Sequence, residues 1–125
     1  MLFVESRGFS RRLGKFLDEM AYRDLQNALL ANPKAGVVMA GCGGLHKLRF
    51  VRASSSIGKR GGIRVIYLHI PKARRIDLLA IYGKNEKDDL TSQERSSLAA
   101  LTRSARAEAL IEARSEESGG TEESQ

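Results

Sequence analysis

Residues 63–82, IRVIYLHIPKARRIDLLAIY, have the clearest strand pattern in the sequence. Residues 63–70 are rich in β-branched and aromatic side chains, which is typical of a buried strand. Pro71 closes that strand, and residues 76–82 (IDLLAIY) form a second apolar run of strand length. Because the segment between the two runs is short, we predict an antiparallel hairpin.

A further strand is predicted ahead of this hairpin. Residues 45–52 alternate in character, with Leu48 and Phe50 on one face and Lys47 and Arg49 on the other. This alternation indicates a half-buried strand whose basic side chains point away from the apolar layer.

The rest of the chain predicts a first strand at residues 2–4 and three helices. Apolar residues recur every three or four positions over residues 9–29, and poor helix formers favour a break between two helices near residues 18–19. Residues 36–44 are glycine-rich and are predicted to be a loop. The capping box TSQE at residues 91–94 begins a last helix.

These elements predict an α+β fold, a small twisted and mainly antiparallel sheet with the N-terminal helices packed on one face and a C-terminal helix. The other face, where Lys47 and Arg49 point, is expected to stay open. We predict one domain at residues 1–114. Residues 115–125 (SEESGGTEESQ) have no large apolar side chain and are expected to form an acidic disordered tail.

Composition points to a cytoplasmic protein. The sequence has no apolar stretch long enough for a transmembrane helix, and its N-terminus does not have the pattern of a signal peptide. A single cysteine, Cys42, favours a reducing compartment. We therefore expect no membrane partner.

Positive charge is concentrated in one part of the chain. The formal net charge is +6, from 21 Lys+Arg and 15 Asp+Glu. Residues 46–75 contain no Asp or Glu and nine basic residues, namely Lys47, Arg49, Arg52, Lys59, Arg60, Arg64, Lys72, Arg74 and Arg75. Such a cluster either faces a polyanion or is a solvated basic face without a partner.

The sequence offers little for metal or nucleotide chemistry. His46 and His69 lie on different predicted strands, and no CxxC or HExxH spacing occurs. Residues 58–62 (GKRGG) lack the spacing of a phosphate-binding loop and precede a strand, so they are predicted to be a flexible basic loop that contacts a nucleic-acid backbone. We expect no metal and no cofactor.

Basic side chains on a sheet can support metal-independent RNA cleavage. The ribose 2′-OH must lose its proton, the charge on the phosphate must be stabilised, and the leaving 5′-oxygen needs a proton. Five residues could supply these roles, namely Lys47, Arg49, Lys59, Arg64 and Lys84. Composition alone supports a passive RNA-binding surface equally well.

Three segments together resemble RelE-superfamily toxins of bacterial type II toxin–antitoxin systems, most of all the HigB-like branch. They are residues 44–49 (GLHKLR), 58–67 (GKRGGIRVIY) and 78–90 (LLAIYGKNEKDDL). The similarity extends over roughly residues 1–105. The resemblance implies ribosome-dependent endonucleolytic cleavage of mRNA. It also implies neutralisation by a cognate antitoxin, often a HigA-like helix-turn-helix protein encoded alongside.

The resemblance also implies residue roles. Arg64 matches the strand arginine that contacts the scissile phosphate, Lys47 and Arg49 match basic positions on the preceding strand, and Lys84 matches the basic position after the last strand. Three further residues are predicted to bind RNA, namely Arg52, Arg60 and Tyr82.

The roles of Tyr82 and Glu86 each have two interpretations. Tyr82 is either a core residue or a platform for base stacking, whereas Tyr67 is predicted to be core. Glu86 either holds Lys84 or Arg64 in place or helps to begin the last helix. The chain departs from the RelE branch because Asn85 follows Lys84 and residues 88–125 contain no tyrosine.

These departures leave the general base unassigned, with His46 a minor candidate on the buried face. They also motivate an alternative function, a non-catalytic RNA- or ribosome-binding protein of the same fold. Duplex DNA as the partner is a weaker alternative, since no predicted helix carries the basic cluster.

Overall fold

The computed structural model describes residues 1–51, 62–84, 86 and 90–123, with side chains described up to residue 115. Its elements, in chain order, are β1 (Leu2–Glu5), α1 (Arg7–Phe16), α2 (Glu19–Ala31), β2 (Val37–Val38), β3 (His46–Phe50), β4 (Ile63–Ile70), β5 (Arg75–Gly83) and α3 (Ser92–Glu123).

One five-stranded sheet has the order β1-β5-β4-β3-β2. β5 pairs antiparallel with β4, which confirms the predicted hairpin, and β1 pairs parallel with β5. A 3₁₀ turn at Pro71–Ala73 and a left-handed Arg74 (φ 52°) reverse the chain between β4 and β5. The short β2 lies within the predicted glycine-rich loop, where two consecutive β-branched valines pair with the edge of β3.

The N-terminal helices begin at side-chain caps. The Ser6 hydroxyl accepts a hydrogen bond from the Phe9 N–H at 3.1 Å, and the Asp18 carboxylate accepts one from the Ala21 N–H at 2.8 Å. Leu17, between α1 and α2, has extended backbone. The predicted break between two helices is therefore confirmed, and Asp18 creates it by capping the second helix.

Both faces of the sheet are covered by helices. Side chains of α1 and α2 pack on Val65, Tyr67 and other residues of one face. On the second face, Leu98, Ala105 and Ala109 of α3 share a core with Ile66, Leu68 and other residues. The prediction that the second face stays open is wrong where α3 packs on β4. Both faces of β4 carry apolar side chains, so both faces have to be buried.

Arg75 forms a buried ion pair within β5 and also contacts two carboxylates of α3. Arg75 is 1% exposed and donates to the Asp77 carboxylate at 2.6 and 2.9 Å. On α3, Glu112 and Glu108 lie 3.0 and 3.6 Å from the same guanidinium. The hydrogen bond to Asp77 raises the pKa of Arg75.

The predicted capping box at the start of α3 is confirmed. The Thr91 N–H donates to Glu94 at 2.9 Å, and the Glu94 N–H donates to the Thr91 hydroxyl at 3.1 Å. The backbone of α3 is helical through Glu123, past the predicted end of the domain. The division into residues 1–114 and a disordered tail stays a prediction. Among the described residues, no helix is long and apolar enough to span a membrane.

Candidate nucleic-acid interface

Lys47, Arg49 and Arg64 lie on the same face of the sheet. Arg49 is directly opposite Arg64 in the antiparallel register, and Lys47 is directly opposite Ile66. Because directly opposed residues point to the same side and Ile66 belongs to the core beneath α3, all three basic side chains lie on that side. Lys47 and Arg64 are half-buried and Arg49 is exposed.

The side chains of Arg49 and Arg64 converge above Gly62. A Cβ atom at Gly62 would lie 3.0 Å from Arg64 Nη1 and 3.1 Å from Arg49 Nε, so a side chain at residue 62 would crowd the two guanidinium groups. Two positive groups held this close favour the binding of an anion between or above them.

The backbone of Lys84 is hydrogen-bonded to Gly62 as well. The carbonyl oxygen of Gly62 accepts a hydrogen bond from Arg64 Nη1 at 2.9 Å and another from the Lys84 N–H at 3.2 Å. The Lys84 side chain is exposed. Three sequence-predicted residues, Arg49, Arg64 and Lys84, are therefore brought together around Gly62, and Lys47 lies two positions along β3. We call these four residues the basic cluster.

Glu86 contacts α1 rather than the basic cluster. Its carboxylate accepts a hydrogen bond from Arg12 Nη2 at 2.6 Å and one from the Gly83 N–H at 3.2 Å. The Arg12 hydrogen bond lowers the pKa of Glu86. Among the described residues, Glu86 therefore pairs with Arg12, and not with Lys84 or Arg64 as one interpretation of the sequence had it. The sequence does not single out Arg12, because this residue has the pattern of a solvated position on an amphipathic helix.

The two strand tyrosines are core residues. Tyr82 is 2% exposed and packs in the core beneath α3, and the residue is also one of those that line a cavity of about 400 Å³ between β5, α1 and the start of α3. Its predicted role in binding RNA requires access through that cavity and stays a prediction. Tyr67 is fully buried, as predicted, and burial raises its pKa.

The remaining candidates lie elsewhere. The His46 ring stacks on Tyr67, with centroids 5.4 Å apart, on the face opposite Arg64. Arg52, Lys59 and Arg60 lie outside the described residues, so their assigned roles stay predictions. Within the described ranges, no group of three or more His, Cys, Asp or Glu residues is placed to hold a metal ion.

Comparison with known proteins identifies the fold. No protein-family model matches the chain. A solved structure of E. coli toxin RelE, a double arginine-to-alanine mutant in the free state, superposes with a TM-score of 0.51 at 14% sequence identity. The match covers 79% of this chain and 93% of that chain. The chain therefore has a RelE-like fold, as the sequence resemblance implies.

Proposed function

We propose that this chain, which has the fold of a RelE toxin, is a ribosome-dependent mRNA endoribonuclease that inhibits translation in the cytoplasm. The observation that carries the proposal is the convergence of Arg49 and Arg64 above Gly62, with Lys84 bonded to the same carbonyl oxygen. These three residues supply positive charge for a phosphate, on a fold shared with a toxin.

The proposed reaction needs no water and no metal. The ribose 2′-oxygen forms a bond to the adjacent phosphorus, the bond from phosphorus to the 5′-oxygen breaks, and a 2′,3′-cyclic phosphate and a 5′-hydroxyl result. Extra negative charge develops on the phosphate oxygens during this step. Arg49 and Arg64 stabilise that charge, because guanidinium groups match phosphate geometry.

Two protons must also move in this reaction, one from the 2′-OH and one to the leaving oxygen. Arginine does not give up its proton in proteins. Lys47 and Lys84 are therefore the members of the basic cluster able to act as acid or base. The ribosome supplies orientation of the mRNA, which a site built of four flexible side chains does not provide alone.

The proposed partner in the cell is a cognate antitoxin, a HigA-like helix-turn-helix protein encoded beside this chain. Two features support this partner. The fold is RelE-like, and the basic cluster would promote cleavage of cellular mRNA unless another protein covered it. A neighbouring reading frame for a small protein of this type is the expected finding. Its absence would count against an antitoxin of this class.

Induced expression in bacteria tests the proposal. Wild-type protein should arrest growth, and Arg64→Ala and Lys84→Ala should each relieve the arrest. Arg23→Ala is the control, because Arg23 is exposed on α2, which packs on the opposite face of the sheet. Normal growth with well-expressed wild-type protein would contradict the toxin assignment.

The alternative is a non-catalytic RNA- or ribosome-binding protein. Two observations favour it: residues 88–125 contain no tyrosine, and His46 lies on the face opposite Arg64. Under this alternative the protein binds ribosomes, the mRNA stays intact, and Arg64→Ala weakens binding.

A further inference from the structure

Helix α1 reaches the turn that carries Lys84. Arg12 donates from Nε to the carbonyl oxygen of Ile81 at 3.1 Å and from Nη2 to Glu86 at 2.6 Å. A single planar guanidinium group therefore holds both the end of β5 and the turn that follows it.

Glu86 closes that turn on itself. Its backbone N–H donates to the Gly83 carbonyl oxygen at 3.0 Å, and its carboxylate accepts the Gly83 N–H at 3.2 Å. The carboxylate thus satisfies two donors at once, one from the turn and one from Arg12.

The other side of the turn meets the basic cluster. The Lys84 N–H donates to Gly62, and the same Gly62 carbonyl oxygen accepts from Arg64. A continuous series of contacts therefore runs from Arg12 through Glu86 and Lys84 to Arg64.

The Phe16 ring of α1 lies next to both Arg12 and Gly83. The Arg12 guanidinium lies 5.3 Å from the centre of the Phe16 ring, and a Cβ atom at Gly83 would lie only 3.3 Å from Phe16 Cε1. The turn therefore rests against a packed layer of α1, which limits how far Gly83 can move toward the helix.

We propose that Arg12 and Glu86 are a positioning pair that fixes the Lys84 turn relative to Arg64. This inference rests on the proposed function and adds two residues that act through Lys84 and Gly62 rather than on the RNA. A misplacement of about 1 Å in a catalytic group can cost about a hundredfold in rate, so a small shift of this turn is sufficient to matter.

The charges of the two residues separate positioning from simple electrostatics. Arg12→Gln removes a positive charge near an anionic substrate and Glu86→Gln removes a negative one. If the residues act only through the field at the site, the two variants change activity in opposite directions. If they act as a positioning pair, both variants slow cleavage.

The test measures mRNA cleavage on ribosomes over a range of ribosome–mRNA concentrations. Each single variant should lower the maximal rate about tenfold or more, with KM changed less than about twofold. The double variant Arg12→Gln/Glu86→Gln should lose less than the product of the two single losses, because both substitutions remove the shared Arg12–Glu86 contact. Arg11→Gln is the control, an exposed arginine on the same helix that should retain the wild-type rate.

Hydrogen exchange at the Lys84 amide supplies a readout that does not depend on cleavage. Both single variants should speed its exchange about fivefold or more, and Arg11→Gln should not. Unchanged Lys84 exchange, or opposite effects on cleavage, would overturn the inference. Wild-type protein that cuts no mRNA, with faster Lys84 exchange in both variants, would overturn the proposed function and leave the positioning pair standing.

Discussion

Arg49 and Arg64 lie directly opposite each other on neighbouring antiparallel strands, and both side chains pass over Gly62. Like charges in directly opposed positions on a sheet destabilise the pairing. An anion bound beside the two guanidinium groups would reduce this repulsion. The phosphate of an RNA backbone is such an anion.

The salt dependence of RNA binding tests whether Arg49 and Arg64 contact a phosphate. Arg49→Gln should weaken binding to a single-stranded RNA oligonucleotide and reduce the slope of log affinity against log salt by about 0.7, because one phosphate contact is lost. Titrations at several salt concentrations measure the slope. Arg23→Gln on α2 should leave it unchanged, and equal effects of the two substitutions would argue against a localised phosphate site.

The Tyr67 hydroxyl fastens the loop that leads to β2. It donates to the Pro33 carbonyl oxygen at 2.7 Å at a partly buried site and accepts from the buried Gly36 N–H at 3.0 Å. Tyr67→Phe should lower the free energy of unfolding by about 1–3 kcal/mol, because two backbone groups lose their partner.

Urea unfolding checks this prediction, with Tyr22→Phe as a matched control. The Tyr22 hydroxyl donates to Glu5 at an exposed site, so its loss should cost about 1 kcal/mol or less. If the two substitutions have equal effects, the Tyr67 hydroxyl does not hold the loop.

Loss of one partner of the Arg75–Asp77 pair should lower the free energy of unfolding far more than loss of both partners. Arg75→Met leaves the Asp77 carboxylate buried without its guanidinium and should cost about 3–5 kcal/mol in free energy of unfolding. The double variant Arg75→Met/Asp77→Leu should recover most of that loss, because no unpaired charge remains at the buried site. Denaturant unfolding of the two proteins gives the comparison, and equal losses would contradict it.

The Arg12–Glu86 ion pair should make stability depend on pH in the acid range. The pKa of Glu86 is lowered from its ordinary value of 4.5 in the folded protein, so the pair contributes fully above that value. The contribution is lost as pH falls through the lower folded pKa. The stability difference between wild type and Glu86→Gln should therefore be constant near neutral pH and shrink below about pH 4.5. A difference that does not change with pH would contradict the ion pair.

Local patterns predicted much of the fold. The β4–β5 hairpin, the break at Asp18 and the capping box at Thr91 each follow from residues close together in sequence. The alternation of Leu48 and Phe50 with Lys47 and Arg49 also placed the basic side chains on the correct face, because a strand has a period of two.

Features that depend on distant contacts were not predictable in this way. Arg12 and Glu86 are 74 residues apart, and nothing in either local segment indicates their pairing. The position of α3 over the second face was also missed, because its weak apolar stripe gives no direction for packing. The two-residue strand β2 is too short for any periodic pattern to reveal it.

The most direct test of the account is to map mRNA cuts by primer extension after purified protein is added to ribosomes paused on a defined mRNA. We expect cuts at the codon in the decoding site with wild-type protein, no cuts in mRNA without ribosomes, and a loss of about a hundredfold or more in cleavage for Arg64→Ala. Intact mRNA on ribosomes that wild-type protein has bound would contradict the proposed cleavage.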